Sequence, residues 1–157
     1  MAAPPHAADL SCACAATRRA ARAVTQLYDS CLRASDVEGT QYALLSLLGS
    51  IGPCSQAAIS HRLVLDKTTL SRNLKLLRHK GWIETVPADD GRERRYVLSA
   101  SGEKRLAAAK PAWRRAQQRL RDSMTAREWD AVWKALHVLN TAAQTALRGN
   151  ESKALAR

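Results

Sequence analysis

Residues 55–99 constrain the fold of this chain more than any other stretch, because helix and strand signals follow one another there in a fixed order. Ser55 is suited to cap a helix over 56–63, since a serine hydroxyl can accept a hydrogen bond from a free N–H in the first turn. Asp66 is suited in the same way to cap a second, basic helix over 67–80. The two helices, separated by a short turn, predict a helix-turn-helix.

A hairpin is predicted directly after the second helix. Gly81 can end that helix by adopting a positive φ. Two runs of strand-forming residues follow at 82–86 and 94–98, and the connection between them is rich in Pro, Asp and Gly. We therefore predict a mainly α fold with a small β-hairpin wing, which is a winged helix-turn-helix.

Apolar residues recur at helical spacing near both ends of the chain. Val24 and Leu27 belong to the first stripe, and Trp133 and Leu136 belong to a stripe in the last of two long C-terminal helices. One small module cannot cover both faces, so we expect them to pair with a second copy; an intramolecular bundle is the alternative. The expected segments are a disordered tail at 1–11, an N-terminal dimerisation helix at 12–36, the winged module at 37–100, C-terminal dimerisation helices at 101–147 and a flexible tail at 148–157.

The net charge of +11 predicts a polyanionic partner. Only seven aromatic residues are present, four Trp and three Tyr, which disfavours recognition of single strands by stacking and favours double-stranded DNA. No apolar run approaches the length of roughly 18 residues that is needed to cross a bilayer, and we find no secretory signal. We therefore expect a cytoplasmic protein without a membrane partner. We also find no glycine-rich phosphate loop, no metal-ligand triad and no nucleophile elbow. We therefore predict that the protein is not an enzyme and needs no metal or cofactor.

The basic helix has the pattern expected of a recognition helix. Leu70, Leu74 and Leu77 recur at core spacing, which leaves the cationic residues on the opposite side. Arg72 is the best candidate for a base contact, because a guanidinium can bond guanine bidentately in the major groove. The predicted DNA-contacting residues are Ser55, Gln56, Lys67, Thr68, Thr69, Ser71, Arg72, Asn73, Lys75, Arg92, Arg94 and Arg95. A merely solvated amphipathic helix and an architectural DNA-coating protein are the alternatives.

Four stretches, 58–77, 80–83, 90–95 and 98–102, together with the first helix, resemble the MarR family of bacterial transcription regulators. The resemblance implies a homodimer with its recognition helices in the major groove and its wings in the minor groove of a pseudo-palindromic operator. It implies a repressor that is released by a small aromatic or phenolic acid, while other members respond to thiol oxidation or to metals. The family often has glycine where this chain has Val64. Since a β-branched residue resists positive φ, we expect the turn to adopt another conformation here.

Two signals are possible within this family. An aromatic acid could be bound by Arg18, Arg22, Tyr42 and Trp113 through a salt bridge and stacking. Alternatively, Cys12 and Cys14 could form a redox switch, because a helix N-terminus favours the reactive thiolate. The spacing of Cys14, Thr25 and Tyr28 resembles the organic-peroxide-sensing branch, in which several tyrosines hold the thiol. Tyr28 matches one of these tyrosines, whereas Arg18 and Gly39 stand where the others are expected. The two thiols are too close for an easy internal disulfide, and a soft metal held together with His6 or with a residue of a partner chain is a further alternative.

Overall fold

The computed structural model describes residues 12–87 and 94–155. Within these ranges the helices and the two strands of the hairpin follow one another in the order that the sequence predicted. A third short strand, which was not predicted, precedes the helix-turn-helix. The elements are α1 (Ala13–Leu32), a 3-10 turn (Arg33–Ser35), α2 (Gly39–Ile51), β1 (Cys54–Ser55), α3 (Gln56–Leu63), α4 (Lys67–His79), β2 (Ile83–Pro87), β3 (Arg94–Leu98), α5 (Ala100–Asp122) and α6 (Ala126–Leu155). The expected tail at 1–11 and the tip of the hairpin lie outside the described residues.

The predicted helix caps are present. The side chain of Ser55 accepts a hydrogen bond from the backbone N–H of Ala58 at 3.3 Å. At the start of α4, Asp66 Oδ1 accepts one from the N–H of Thr69 at 2.8 Å. Gly81 follows α4 with φ 68°, as expected of a glycine that ends a helix. Both helices of the helix-turn-helix therefore begin at the residues that the sequence indicated.

The small sheet has three antiparallel strands in the order β1-β3-β2. In the hairpin, Ile83 pairs with Leu98 and Pro87 pairs with Arg94. The sequence did not predict β1, in which Cys54 pairs with Tyr96 and thereby joins the start of α3 to the wing. A two-residue strand is too short to show the alternation that identifies strands in a sequence.

The core lies among α2, α3, α4 and the sheet. Leu44, Leu45 and Leu48 of α2 are buried together with Ile59 of α3, and the predicted leucine stripe of α4 closes the same cluster. Burying a leucine side chain contributes on the order of 2 kcal/mol, so this cluster supplies most of the energy that holds α4 in place. These elements belong to a compact unit that extends through Ala116.

The start of α5 is bonded to the end of α4. The hydroxyls of Ser99 and Ser101 both donate to the carbonyl oxygen of Gly81 at 2.6 Å. The N–H of Gly102 donates to Ser99 Oγ at 3.1 Å, and Gly102 lies so close to Trp82 that a Cβ there would stand 1.9 Å from the Trp82 carbonyl oxygen. Gly102 is therefore required for space at this junction.

The prediction for the turn at Val64 is wrong. Val64 has φ 50° and ψ 43°, the left-handed conformation that a glycine would adopt. Two hydrogen bonds between Ser60 and Leu65 hold the turn. Ser60 Oγ donates to the Leu65 carbonyl oxygen at 2.8 Å, and the N–H of Leu65 donates to the Ser60 carbonyl oxygen. With its side chain 70% exposed, Val64 meets no packing conflict. These contacts offset the roughly 1–2 kcal/mol that a left-handed residue costs.

Residues from Gln117 onwards form a second unit, which contains α6. The capping box predicted at its start is present, since Thr125 N–H and Oγ1 both donate to Glu128 Oε2 at 2.8 Å. The helix continues to Leu155, beyond the point where we expected a flexible tail to begin at 148. Trp133 is 55% exposed and Leu136 is 49% exposed on this helix. No helix in the described part of the chain has the length and apolar character needed to span a membrane.

Candidate nucleic-acid interface

The two sides of α4 differ sharply in burial and chemistry. The core side consists of Leu70, Leu74 and Leu77, each at most 2% exposed. The predicted contact residues Lys67, Thr68, Ser71, Arg72 and Lys75 are all exposed on the rest of the helix. Because the buried side fixes the rotation of the helix, the cationic surface faces solvent along its whole length.

The N-terminus of α4 is capped, and this determines which of its groups are free to bind a phosphate. Hydrogen bonds from the side chain and the backbone N–H of Thr69 hold the pKa of the Asp66 carboxyl below its ordinary value. Thr69, one of the predicted contact residues, is thus already engaged by the cap. The neighbouring Thr68 hydroxyl and the Lys67 ammonium are exposed beside the positive end of the helix dipole, which favours an anion there.

A groove of about 650 Å³ runs along α4, lined by Arg72, Asn73 and Leu76 of this helix and by Glu38, the N-cap of α2. Asn73 Nδ2 donates to the carbonyl oxygen of Thr69 at 2.9 Å, so its amide is held against its own helix. Asn73 is therefore less free for base contact than Arg72, which is exposed at the edge of this groove. We refer to this feature as the α4 groove.

Two further residues share the outer surface of α4, and neither is among the predicted contacts. His79 lies four residues after Lys75 and seven after Arg72, on the same side of the helix. Leu76 follows Arg72 by four residues and is 39% exposed. Their spacing from Arg72 and Lys75 along the helix is the signal that could have identified both.

The predicted contacts outside α4 are partly described. Ser55 and Gln56 are half-buried at the start of α3. In the wing, Arg94 is exposed where β3 begins, and Arg95, the next residue, is half-buried and pairs with Val86. Arg92 lies outside the described residues. The structure thus places Arg94 at the end of the hairpin nearest its tip.

Trp82 connects the C-terminal end of α4 to α5. Its buried indole contacts two cations, Lys80 Nζ at 4.4 Å and the Arg105 guanidinium at 5.0 Å from the ring centroid. Arg105 also donates to the Ser35 carbonyl at 3.0 Å, and Lys80 Nζ lies 3.6 Å from Asp36 Oδ2. These contacts hold the C-terminal end of α4 against the segment that follows α1.

The four residues predicted to bind an effector are not equally available. The rings of Tyr42 and Trp113 stack on each other, with centroids 5.6 Å apart and planes 15° from parallel. Burial raises the pKa of the Tyr42 hydroxyl, and the charge of Arg114 partly opposes this shift. Arg18 and Arg22 lie on the exposed surface of α1. An aromatic ligand would have to pack beside this stacked pair or separate it.

The two N-terminal thiols are accessible. Cys12 is the N-cap residue of α1, and Cys14 lies in the first turn of that helix; both are exposed. His6, one of the two third ligands considered for a metal site, lies outside the described residues. Within 12–87 and 94–155, no group of three or more His, Cys, Asp or Glu side chains is placed to hold a metal ion.

A helix-turn-helix with a cationic second helix, followed by a hairpin with arginines near its tip, defines the winged-helix class of DNA-binding proteins. Comparisons with known proteins indicate the same class. Residues 35–93 match the model of the MarR family. YwoH, an uncharacterized HTH-type transcriptional regulator of Bacillus subtilis (strain 168), is 29% identical over 87 residues, a match that covers 55% of this chain and 64% of YwoH.

Solved structures extend the match over most of the chain. The M. tuberculosis transcriptional regulator MosR in complex with DNA is 33% identical, with a TM-score of 0.78 over 87% of this chain and 98% of MosR. The Streptomyces coelicolor regulator PcaV in complex with its natural ligand shares the fold, with a TM-score of 0.76, 22% identity and coverage of 91% and 99% of the two chains. This chain belongs to the MarR family, whose members are transcriptional regulators and not enzymes.

Proposed function

We propose that this MarR-family DNA-binding regulator is a homodimeric cytoplasmic repressor, which binds a pseudo-palindromic operator in double-stranded DNA and is released by a small aromatic or phenolic acid. The outer surface of α4 is the observation that carries this proposal. Arg72, Lys75 and Thr68 are exposed together on a helix whose opposite side is locked into the core. A helix of this kind fits the major groove, and the arginines of the hairpin suit the adjacent minor groove.

The exposed apolar side chains of α6 support the homodimer. Val132, Trp133, Leu136 and Leu139 recur at helical spacing, and each is more than one third exposed. An apolar stripe of this extent is unfavourable in water unless another surface covers it. A second copy would bring a second α4, so that the two recognition helices read half-sites about one helical turn apart.

The stacked pair Tyr42 and Trp113 supports the aromatic effector. Both rings belong to the unit that also holds α4, and the guanidinium of Arg114 is close enough to act on the Tyr42 hydroxyl. A ring that inserts there would meet aromatic surface and a cation suited to a carboxylate. PcaV shares the fold and binds a natural ligand, which makes an effector-responsive mechanism the simplest assumption for this chain.

Binding of the purified protein to the intergenic DNA upstream of its own gene tests this proposal. We expect a footprint with two symmetric halves and, by sedimentation in the absence of DNA, a mass twice the 17.2 kDa of one chain. Addition of a panel of aromatic acids at fixed salt should release the DNA; the salt must be fixed because phosphate contacts dominate affinity. Continuous protection of the DNA would instead indicate a coating protein, and a monomeric mass would exclude the two-fold arrangement.

Exposure of Cys12 and Cys14 favours a second candidate, a repressor that is switched by thiol oxidation or by a soft metal. Both thiols lie at the start of α1, where an oxidant or a soft metal can reach them. A chemical change there would alter the helix that we expect to contribute to the dimer. Cys54 is buried and so is not exposed to an oxidant in the same way.

Replacing both Cys12 and Cys14 with serine separates the two candidates. If the thiols are the switch, mild oxidation should lower the DNA affinity of the wild-type protein at least tenfold, reversibly with dithiothreitol, and should leave the double variant unaffected. Fluorescence anisotropy at fixed salt provides the measurement, and Cys31→Ser, which retains both N-terminal thiols, is the matched control. Equal affinity of oxidised and reduced wild-type protein would exclude the oxidation switch.

A further inference from the structure

The outer surface of α4 carries an apolar side chain that neither the core nor phosphate binding explains. Leu76 is 39% exposed, whereas the core leucines of the same helix are at most 2% exposed. It lines the α4 groove beside Arg72 and Asn73. On a surface that faces polyanionic DNA, an exposed leucine gains nothing from phosphates, so an apolar group of the DNA is the partner that would cover it.

The major groove offers one apolar group, the 5-methyl group of thymine. Leu76 lies one helical turn beyond Arg72, about 6 Å along the helix axis. Since base pairs are spaced about 3.4 Å apart, a side chain at this distance meets the base pair next to, or one beyond, the pair that Arg72 contacts. Between them, Asn73 has its amide held by the Thr69 carbonyl, and Lys75 is an exposed cation suited to phosphate. Leu76 is therefore the apolar side chain available to a base edge at this position.

We propose that Leu76 is a specificity-determining residue that recognises the methyl group of a thymine one or two base pairs from the guanine bound by Arg72. This inference rests on the proposed operator binding through α4. Each half-site would therefore contain a guanine and a thymine at this spacing. Replacing that thymine with cytosine or uracil would remove the contact, because neither base carries the methyl group.

Uracil substitution tests the proposal without changing any Watson–Crick pairing. A duplex selected by the wild-type protein from a random library is synthesised with deoxyuridine in place of one thymine at a time, and binding is measured by anisotropy at fixed salt. At one thymine in each half-site we expect the wild-type protein to lose about fourfold in affinity, the factor that corresponds to burying one methyl group. Leu76→Ala should bind the thymine and uracil duplexes equally.

The outcomes distinguish this inference from the function on which it rests. If wild-type protein selects no sequence at all, the operator-binding function itself fails. If it selects a sequence but no uracil substitution weakens binding, or if Leu76→Ala keeps the full preference for thymine, the role of Leu76 is excluded. Ile51→Ala is the matched control, because it truncates an apolar side chain that is also 39% exposed but lies at the end of α2, outside α4 and the dimerisation helices. Thermal melting of each variant reports whether the fold is retained.

Discussion

Arg72→Ala is expected to lower operator affinity by about tenfold to a hundredfold for each half-site, the range that one bidentate arginine–guanine pair contributes to discrimination. The loss should be confined to the selected operator, whereas affinity for unrelated DNA should fall only by the share that one positive charge supplies. The physical reason is that Arg72 is exposed in the middle of the outer surface of α4, where its guanidinium can reach a base edge. Anisotropy titrations on operator and scrambled duplexes provide the measurement.

Two controls separate base recognition by Arg72 from its charge. Arg127→Ala removes the same charge from an exposed position on α6, and we expect operator affinity to change less than twofold. Arg72→Lys keeps the charge but loses the planar fork that bonds guanine bidentately, so it should retain the salt dependence and still lose the sequence preference. An Arg72→Ala variant that binds the operator as tightly as the wild-type protein would exclude base recognition by Arg72.

Gly102→Ala is expected to destabilise the protein by about 3 kcal/mol or more, at the upper end of what an added methyl group costs in a packed site. The new Cβ would stand 1.9 Å from the carbonyl oxygen and 2.8 Å from the carbonyl carbon of Trp82. These are backbone atoms and cannot move aside as a flexible side chain does. For a domain of this size the midpoint of thermal unfolding should fall by about 10 °C. The substitution should also weaken the hydrogen bonds from Ser99 and Ser101 to the Gly81 carbonyl and from the Gly102 N–H to Ser99.

Gly49→Ala is the matched control for this substitution. Its Cβ would approach Leu106 Cδ2 and Leu98 Cδ1 at 3.1 Å, and both are ends of flexible side chains. Alanine is also the better helix former, so we expect the stability to remain within about 1 kcal/mol of the wild-type value. Equal unfolding temperatures for Gly102→Ala and Gly49→Ala, measured by differential scanning calorimetry, would refute the close approach at Trp82.

Local patterns predicted most of the module correctly. The caps at Ser55 and Asp66 and the leucine stripe of α4 depend on side chains within four residues of each other, and helical geometry alone relates them. The same periodicity implied that Arg72 and Lys75 are exposed. Other features were not predicted because they form between segments that are distant in the sequence. One example is β1, in which Cys54 pairs with Tyr96.

The turn at Val64 shows why an intrinsic preference is not decisive. Valine disfavours positive φ, yet the bonds between Ser60 and Leu65 and the burial of the neighbouring helices impose that conformation. A local cost of roughly 1–2 kcal/mol is small beside the burial energy of α3 and α4. Tertiary packing therefore overrode the preference on which the prediction was based.

The order of elements, the helix caps and the cationic character of α4 follow from the amino-acid sequence, because each depends on neighbours along the chain. Three features required the folded chain: the space at Gly102, the contact of Arg105 with the Trp82 ring, and the position of Leu76 in a groove with Glu38. Each joins residues that are far apart in the sequence. Such contacts depend on how helices pack, and packing is a property of the whole core rather than of any local pattern.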